Sequence, residues 1–403
     1  MKKYIRSERA NLFEPNVYIS MIVKLSGDLR NEEIEKAVYK AYEANEATMS
    51  KIVLEENGDA CYEEMGSSGC KFFADSRPWK ELLYQSEKRP FALNEGELVR
   101  TFLTEENEQL ILFIHAHHLV GDGQSVLVLL NDIINSLNRQ PFTYKPMLLV
   151  DRSFLEKRAK LATGIKLYIE LLNQKWQKNA RAFTWDDYYA IHSKYWNESV
   201  SEIEWKTYDI KELKARCPEG ITINSYLIAE LLREHPEYEV IGIPVSVRED
   251  EGMSNQTSGI AVKYKYNYKS EFEVNANRVH KAIYKKLNNK NMKYFILLFM
   301  ERLCSSLIDA VLLQSHGCYQ NKLSEKMAKV MGYIGNEGRD LGVTNLNKID
   351  IPNVHERFEI KNILFVPPKV SYAKEVIGIS TYADKLIVCY HKIISLKIIR
   401  EEV

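Results

Sequence analysis

The run His117-His118-Leu119-Val120-Gly121-Asp122-Gly123 constrains this chain more than any other feature, because it closes an apolar stretch at residues 110–114 and opens into an amphipathic segment. Gly121 and Gly123 flank Asp122 and permit a backbone turn that a side chain would obstruct, so a strand can stop and a helix start almost at once. Residues 109–117 read as that strand, joined in a hairpin to 97–104 across the polar turn 105–108. Residues 124–137 then carry Val126, Leu127, Leu129, Leu130, Ile133 and Ile134 on one apolar helix face. A histidine at such a junction is held firmly yet can meet a substrate. Imidazole titrates near neutrality, so His118 has the local chemistry of a general base toward an amine, hydroxyl or thiol.

Alternation in the strand puts Leu112, Ile114, Ala116 and His118 on one face and Phe113, His115 and His117 on the other, so the adjacent histidines should not share a task. His115 and His117 could share a zinc ion from one face, but no further His, Cys or Asp of ligand spacing lies near them. No metal is expected. Cys389, in an apolar strand, reads as core rather than nucleophile.

The rest of the chain mixes strands and helices. Residues 17–25 read as a strand and 31–45 as a helix with Ile34, Ala37, Val38, Ala41 and Tyr42 on one stripe. Residues 154–182 read as one long helix, with a crossover between two halves, 1–185 and 186–403, placed near residue 185. In the second half, strands are expected at 203–210, 240–247, 359–366 and 377–390, and helices at 221–233, 272–287 and 292–314, the first with Thr222 as N-cap. The fold class is therefore α/β or α+β.

At 403 residues the chain has room for two domains or one large pseudo-symmetric unit. Lys plus Arg and Asp plus Glu are both 55, leaving no net basic charge to support nucleic-acid binding. The six cysteines form no CxxC pair and the first residues lack an apolar signal core, which together predict reduced thiols in a cytoplasm. The longest apolar runs fall well short of the ~20 residues of a spanning helix.

HHLVGDG matches every fixed position of the HHxxxDG motif, and so resembles the superfamily of chloramphenicol acetyltransferase, the plant BAHD acyltransferases and the condensation domains of nonribosomal peptide synthetases. Four further stretches are similar and in the same order. NLFEPNVYISMIVKLSG (11–27) looks like the start of a condensation domain. Pro90-Phe91-Ala92-Leu93 with Leu98-Val99-Arg100 resembles "pfdl…llR", IGIPVSVR (241–248) resembles "vGxPvxxR", and Val343-Thr344-Asn345-Leu346 resembles "vtNlg". There are departures: after IPVSVR the family's "iGxFvNT" survives only as the glycine of SGIAVKY (258–264), and the BAHD "DFGWG" is missing.

The resemblance implies two chloramphenicol-acetyltransferase-like halves forming a V-shaped pseudo-dimer around an active-site tunnel. It implies a free-standing monomeric acyltransferase with no bound cofactor, which takes a CoA or phosphopantetheine thioester as cosubstrate. The donor would be an acyl-CoA or an acyl- or peptidyl-carrier protein, and the acceptor a small molecule. His118 takes the position of the catalytic base and His117 a structural one. Asp122 takes that of a carboxylate paired to an arginine, here Arg248, whose planar fork suits a bidentate contact. Gly123 would leave space for substrate, with plain turn geometry as the alternative, and Asn345 would bind the acyl group or steady an oxyanion. The rival class is a catalytically inactive module that docks a carrier protein or partner enzyme; a channel reaching His118 would favour catalysis.

Overall fold

Two large sheets with helices packed on them build the computed structural model, which describes residues 2–335 and 338–396. The first sheet has five strands in the order Phe358–Val366, Tyr18–Gly27, Gln109–His117, Val99–Glu106, Lys71–Ala74. Its centre is the expected hairpin, turning through Asn107 and Glu108 at φ 52° and 61°. Tyr18–Gly27 pairs antiparallel with the motif strand and sets Tyr18 opposite His117. Helices Asn31–Glu43 and Gly123–Leu137 pack on each other and bury Ile34, Val38, Leu129, Leu130 and Ile133. The edge strand Phe358–Val366 comes from far along the chain and pairs antiparallel with Tyr18–Gly27.

The second sheet has six strands in the order Thr257–Lys263, Val240–Ser246, Arg339–Ile349, Ala373–Tyr382, Lys385–Ser395, Ser199–Asp209. Helices Ile223–Glu234 and Phe272–Leu287 cover it, with Ile228, Leu232, Ala276 and Val279 against Ile241, Val343 and Ile377. Thr222 caps the first of these helices, its hydroxyl accepting from Ser225 N, as expected. A mixed α/β fold with several sheets is what the strand and helix order of the sequence called for.

Three expected elements are interrupted, two of them by hydrogen bonds from residues distant in sequence and one by a tight turn. The long helix at 154–182 is two, Arg152–Glu156 and Thr163–Gln177, because Lys160 N donates to Asn291 Oδ1 rather than to its own helix. The aromatic stretch that follows is itself a helix, Trp185–Asn197, opened by a capping box between Thr184 and Asp187. The helix at 292–314 is three, Lys290–Lys293, Phe295–Arg302 and Ser305–Ser315. Asn173 holds the second break open: its amide donates to Arg302 O and its oxygen accepts from Cys304 N. The strand at 377–390 is a hairpin whose turn places Ala383 at φ 50°, a position where no glycine signals a reversal.

Candidate active site

The motif strand ends at His117, and His118, Leu119 and Val120 form a single 3-10 turn before the helix Gly123–Leu137 begins. Gly121 makes this possible at φ 144°, where a Cβ would collide with Ser125. Asp122 is the N-cap of the helix. Its Oδ1 accepts from Ser125 N at 3.1 Å and from Arg248 Nη2 at 2.7 Å, and its Oδ2 accepts from Gln256 N at 3.1 Å and Thr257 Oγ1 at 2.9 Å. The ion pair with Arg248 is therefore formed, but through one guanidinium nitrogen rather than the bidentate fork. Nη1 is taken by Gly252 O, and Nη2 is shared with Ser125 Oγ and Ser254 O. The arginine thus binds the motif and the loop that follows Val240–Ser246 at once. Of these partners the sequence reading found only Arg248; the Asp-x-x-Ser spacing of a capping box was the one available signal for Ser125.

His118 is half-buried and lines a cavity of about 1510 Å³ that lies between the two sheets. Burial is the largest influence on its ring and lowers its pKa from the usual 6.5, against the Asp122 carboxylate and a hydrogen bond to its own backbone carbonyl. The lowered pKa favours the uncharged imidazole at neutral pH, the form that can accept a proton. Asn11, on the short helix Ala10–Phe13, reaches Nδ1 of the ring at 3.4 Å, a contact that nothing in the sequence signalled.

Both sheets contribute to the wall of this cavity. Ile19 and Phe365 come from the first, Gly242, Ser258 and Asn345 from the second, and Asn11, Gly123 and Gln124 from the helices Ala10–Phe13 and Gly123–Leu137. Gln124 Nε2 donates to Leu346 O at 3.0 Å, and a Cβ on Gly123 would lie 2.6 Å from Leu346 Cδ2. The missing side chain at Gly123 thus admits Leu346, so close packing between the motif helix and the strand Arg339–Ile349 already accounts for the glycine. Asn345 faces the cavity beside a bulge in that strand; its Oδ1 accepts from Asn347 N at 2.7 Å, and its amide nitrogen has no partner among the described residues.

The neighbouring histidines are core residues. His117 accepts from Leu119 N at 3.2 Å and lies within 6 Å of the Tyr18 and Phe91 rings; burial first, then His118, brings its pKa down to about 3. His115 bonds Ser20 Oγ at 2.8 Å. Among the described residues no group of three or more His, Cys, Asp or Glu could hold a metal ion. Cys389 is buried, which raises its thiol pKa and makes a poor nucleophile.

Residues 13–140 match the family model described as Condensation domain. Solved structures agree over nearly the whole chain. The first condensation domain of the CDA synthetase superposes at TM-score 0.65 with 11% identity, covering 100% of this chain and 94% of the other. The chain has the fold of a condensation domain. The epimerization domain from the third module of tyrocidine synthetase B follows at TM-score 0.60, 12% identity and coverages of 97% and 92%. A starter condensation domain of the rhizomide synthetase, solved as a mutant in complex with C8-CoA, gives 0.60, 10%, 97% and 89%. No curated protein matches the sequence. The chain thus shares the condensation-domain fold, and His118, Asp122 and Gly123 of its HHxxxDG run line the cavity. No helix among the described residues is long and apolar enough to cross a membrane.

Proposed function

We propose that this chain transfers an acyl group from a thioester, on CoA or on the phosphopantetheine arm of a carrier protein, to a hydroxyl or amine acceptor. The observation that carries the reading is His118, an uncharged imidazole opening onto a cavity walled by both sheets. That cavity exceeds the roughly 300 to 1,000 Å³ of an ordinary small-molecule site, which suits two reactants side by side. Residues 1–185 and 186–403 act as its two walls, and donor and acceptor enter from separate mouths. A docking module needs neither a neutral base nor room beside it.

In this mechanism His118 removes the acceptor's proton as its oxygen or nitrogen attacks the thioester carbonyl. The collapsing tetrahedral intermediate expels the thiolate, which takes the proton back from His118. Asn345, with its free amide nitrogen at the cavity, is the side chain we assign to the developing oxyanion. Asp122, Arg248 and His117 hold the turn that carries the base. Binding both reactants together replaces a costly bimolecular encounter.

Two outcomes are expected from assays of thiol release with octanoyl-CoA and a panel of amines and alcohols. Initial rates against one substrate at several levels of the other should give intersecting lines; parallel lines, or a stable mass increment on the protein after donor alone, would contradict direct transfer. The acid limb of kcat/KM should lie below pH 6.5, because a base whose pKa is lowered stays neutral, and active, to lower pH before protonation removes it. An inflection above 6.5 would mean that another group limits the rate.

A further inference from the structure

One carboxyl on the cavity wall has no part in the mechanism above. Glu8 is 7% exposed, and its Oε1 lies 2.9 Å from the hydroxyl of Tyr62, on the strand Ala60–Glu64. The same hydroxyl lies 2.7 Å from the carbonyl oxygen of Leu119, the residue after the base. A phenol carries one hydrogen and a carbonyl none, so these two contacts need two hydrogens. With an ionised Glu8 there is only one, and one pair of oxygens would meet lone pair to lone pair. Both contacts are satisfied when the carboxyl is protonated and donates to Tyr62, which in turn donates to Leu119.

The surroundings favour that neutral acid. Burial comes first and raises Glu8 to about 8; Tyr62 and the nearby Asn255 side chain oppose it, and the Asp122 carboxylate adds to it. Tyr62 is itself pushed well above its usual range, by burial and then by Glu8, and keeps its proton. The charges around the group are Asp122 and the Arg248 bound to it, with His118 neutral.

We propose that Glu8 is a positioning residue for His118: as a neutral acid it directs the chain of hydrogen bonds through Tyr62 to Leu119 that fixes the 3-10 turn carrying the base. This rests on the reading of His118 as that base. When Glu8 ionises, its carboxylate becomes the stronger acceptor and claims the Tyr62 hydrogen. The buried Leu119 carbonyl then loses its side-chain partner, and the turn His118–Val120 loosens. The site accordingly carries an alkaline off-switch that acts through Tyr62 and the turn rather than by taking the acceptor's proton.

The test uses the purified full chain and needs no substrate. Infrared difference spectra between wild type and Glu8→Gln should show the C=O stretch of a protonated carboxyl at pH 7 that fades through about pH 8; Glu87, also raised to about 8, is common to both proteins and cancels. The His118 ring signals in NMR, assigned by their loss in His118→Gln, should move in step with that band. Glu8→Gln should keep the neutral-pH ring position and lose the alkaline step, since an amide N–H can replace the acid O–H toward Tyr62. Tyr62→Phe should show the high-pH ring position already at pH 7. No carboxyl band at pH 7, or an alkaline His118 step that survives in Glu8→Gln, overturns the proposal. A failure of the acyl-transfer reading is seen separately, as absence of thiol release from octanoyl-CoA. Where turnover is measured, the wild-type rate should fall about tenfold per pH unit above the transition and the Glu8→Gln rate should not.

Discussion

His118→Ala is expected to lower acyl transfer by about 10² to 10⁴ while leaving the fold intact, because it removes the proton acceptor from the cavity and little else. The ring is half-buried and, among the described residues, its only side-chain contact within hydrogen-bond range is Asn11 at 3.4 Å, so its loss exposes no buried charge. His117→Ala should behave in the opposite way. That ring is buried against Tyr18 and Phe91 and accepts from Leu119 N, so its removal opens a cavity and frees a backbone donor in the turn. Thiol release and thermal unfolding, measured on both variants, separate the two roles. Wild-type turnover in His118→Ala would remove the assigned base altogether.

The second large effect is on stability. Asp122→Ala should cost about 3 to 5 kcal/mol in urea unfolding, because it strands the guanidinium of Arg248 in a site where that side chain is 14% exposed and also removes the helix N-cap. Arg248→Ala should cost less. Asp122 would keep Ser125 N, Gln256 N and Thr257 Oγ1 as donors, whereas Arg248 without Asp122 keeps only neutral oxygens. Equal losses, or a larger one for Arg248→Ala, would mean that the pair contributes little beyond its separate hydrogen bonds.

How much of this was legible in the sequence follows from the range of the forces involved. The motif turn, the hairpin before it, the apolar face of Gly123–Leu137, the Thr222 cap and the helix Phe272–Leu287 are set by neighbours in the chain, and they stand where periodicity and turn chemistry put them. The breaks at residues 157–162 and 303–304 are set by Asn291 and Asn173, more than a hundred residues away in sequence, and no local pattern announces them. The hairpin at Ala383 hid for another reason: its turn uses an alanine at positive φ, a strain that the long pairing of its two strands outweighs. In the candidate site, some residues are marked by a family pattern and others are brought to the motif turn only by the fold. Arg248 belongs to the first kind; Asn11, Glu8, Tyr62 and Gln256 belong to the second.

The edge strand Phe358–Val366 has a consequence for how the molecule is made. Its partner Tyr18–Gly27 is made long before it, since more than 330 residues separate the paired positions Gly27 and Phe358. Until Phe358–Val366 is made, one side of that strand carries unpaired backbone groups along an apolar ribbon of Ile19, Met21, Ile22, Val23 and Leu25, the kind of border that recruits other chains. Synthesis of Phe358–Val366 is therefore also the end of a vulnerable interval. A nascent chain stalled before Phe358 would carry an open template for aggregation, and its yield in the cell would depend on elongation speed and chaperone supply as much as on the stability of the finished fold.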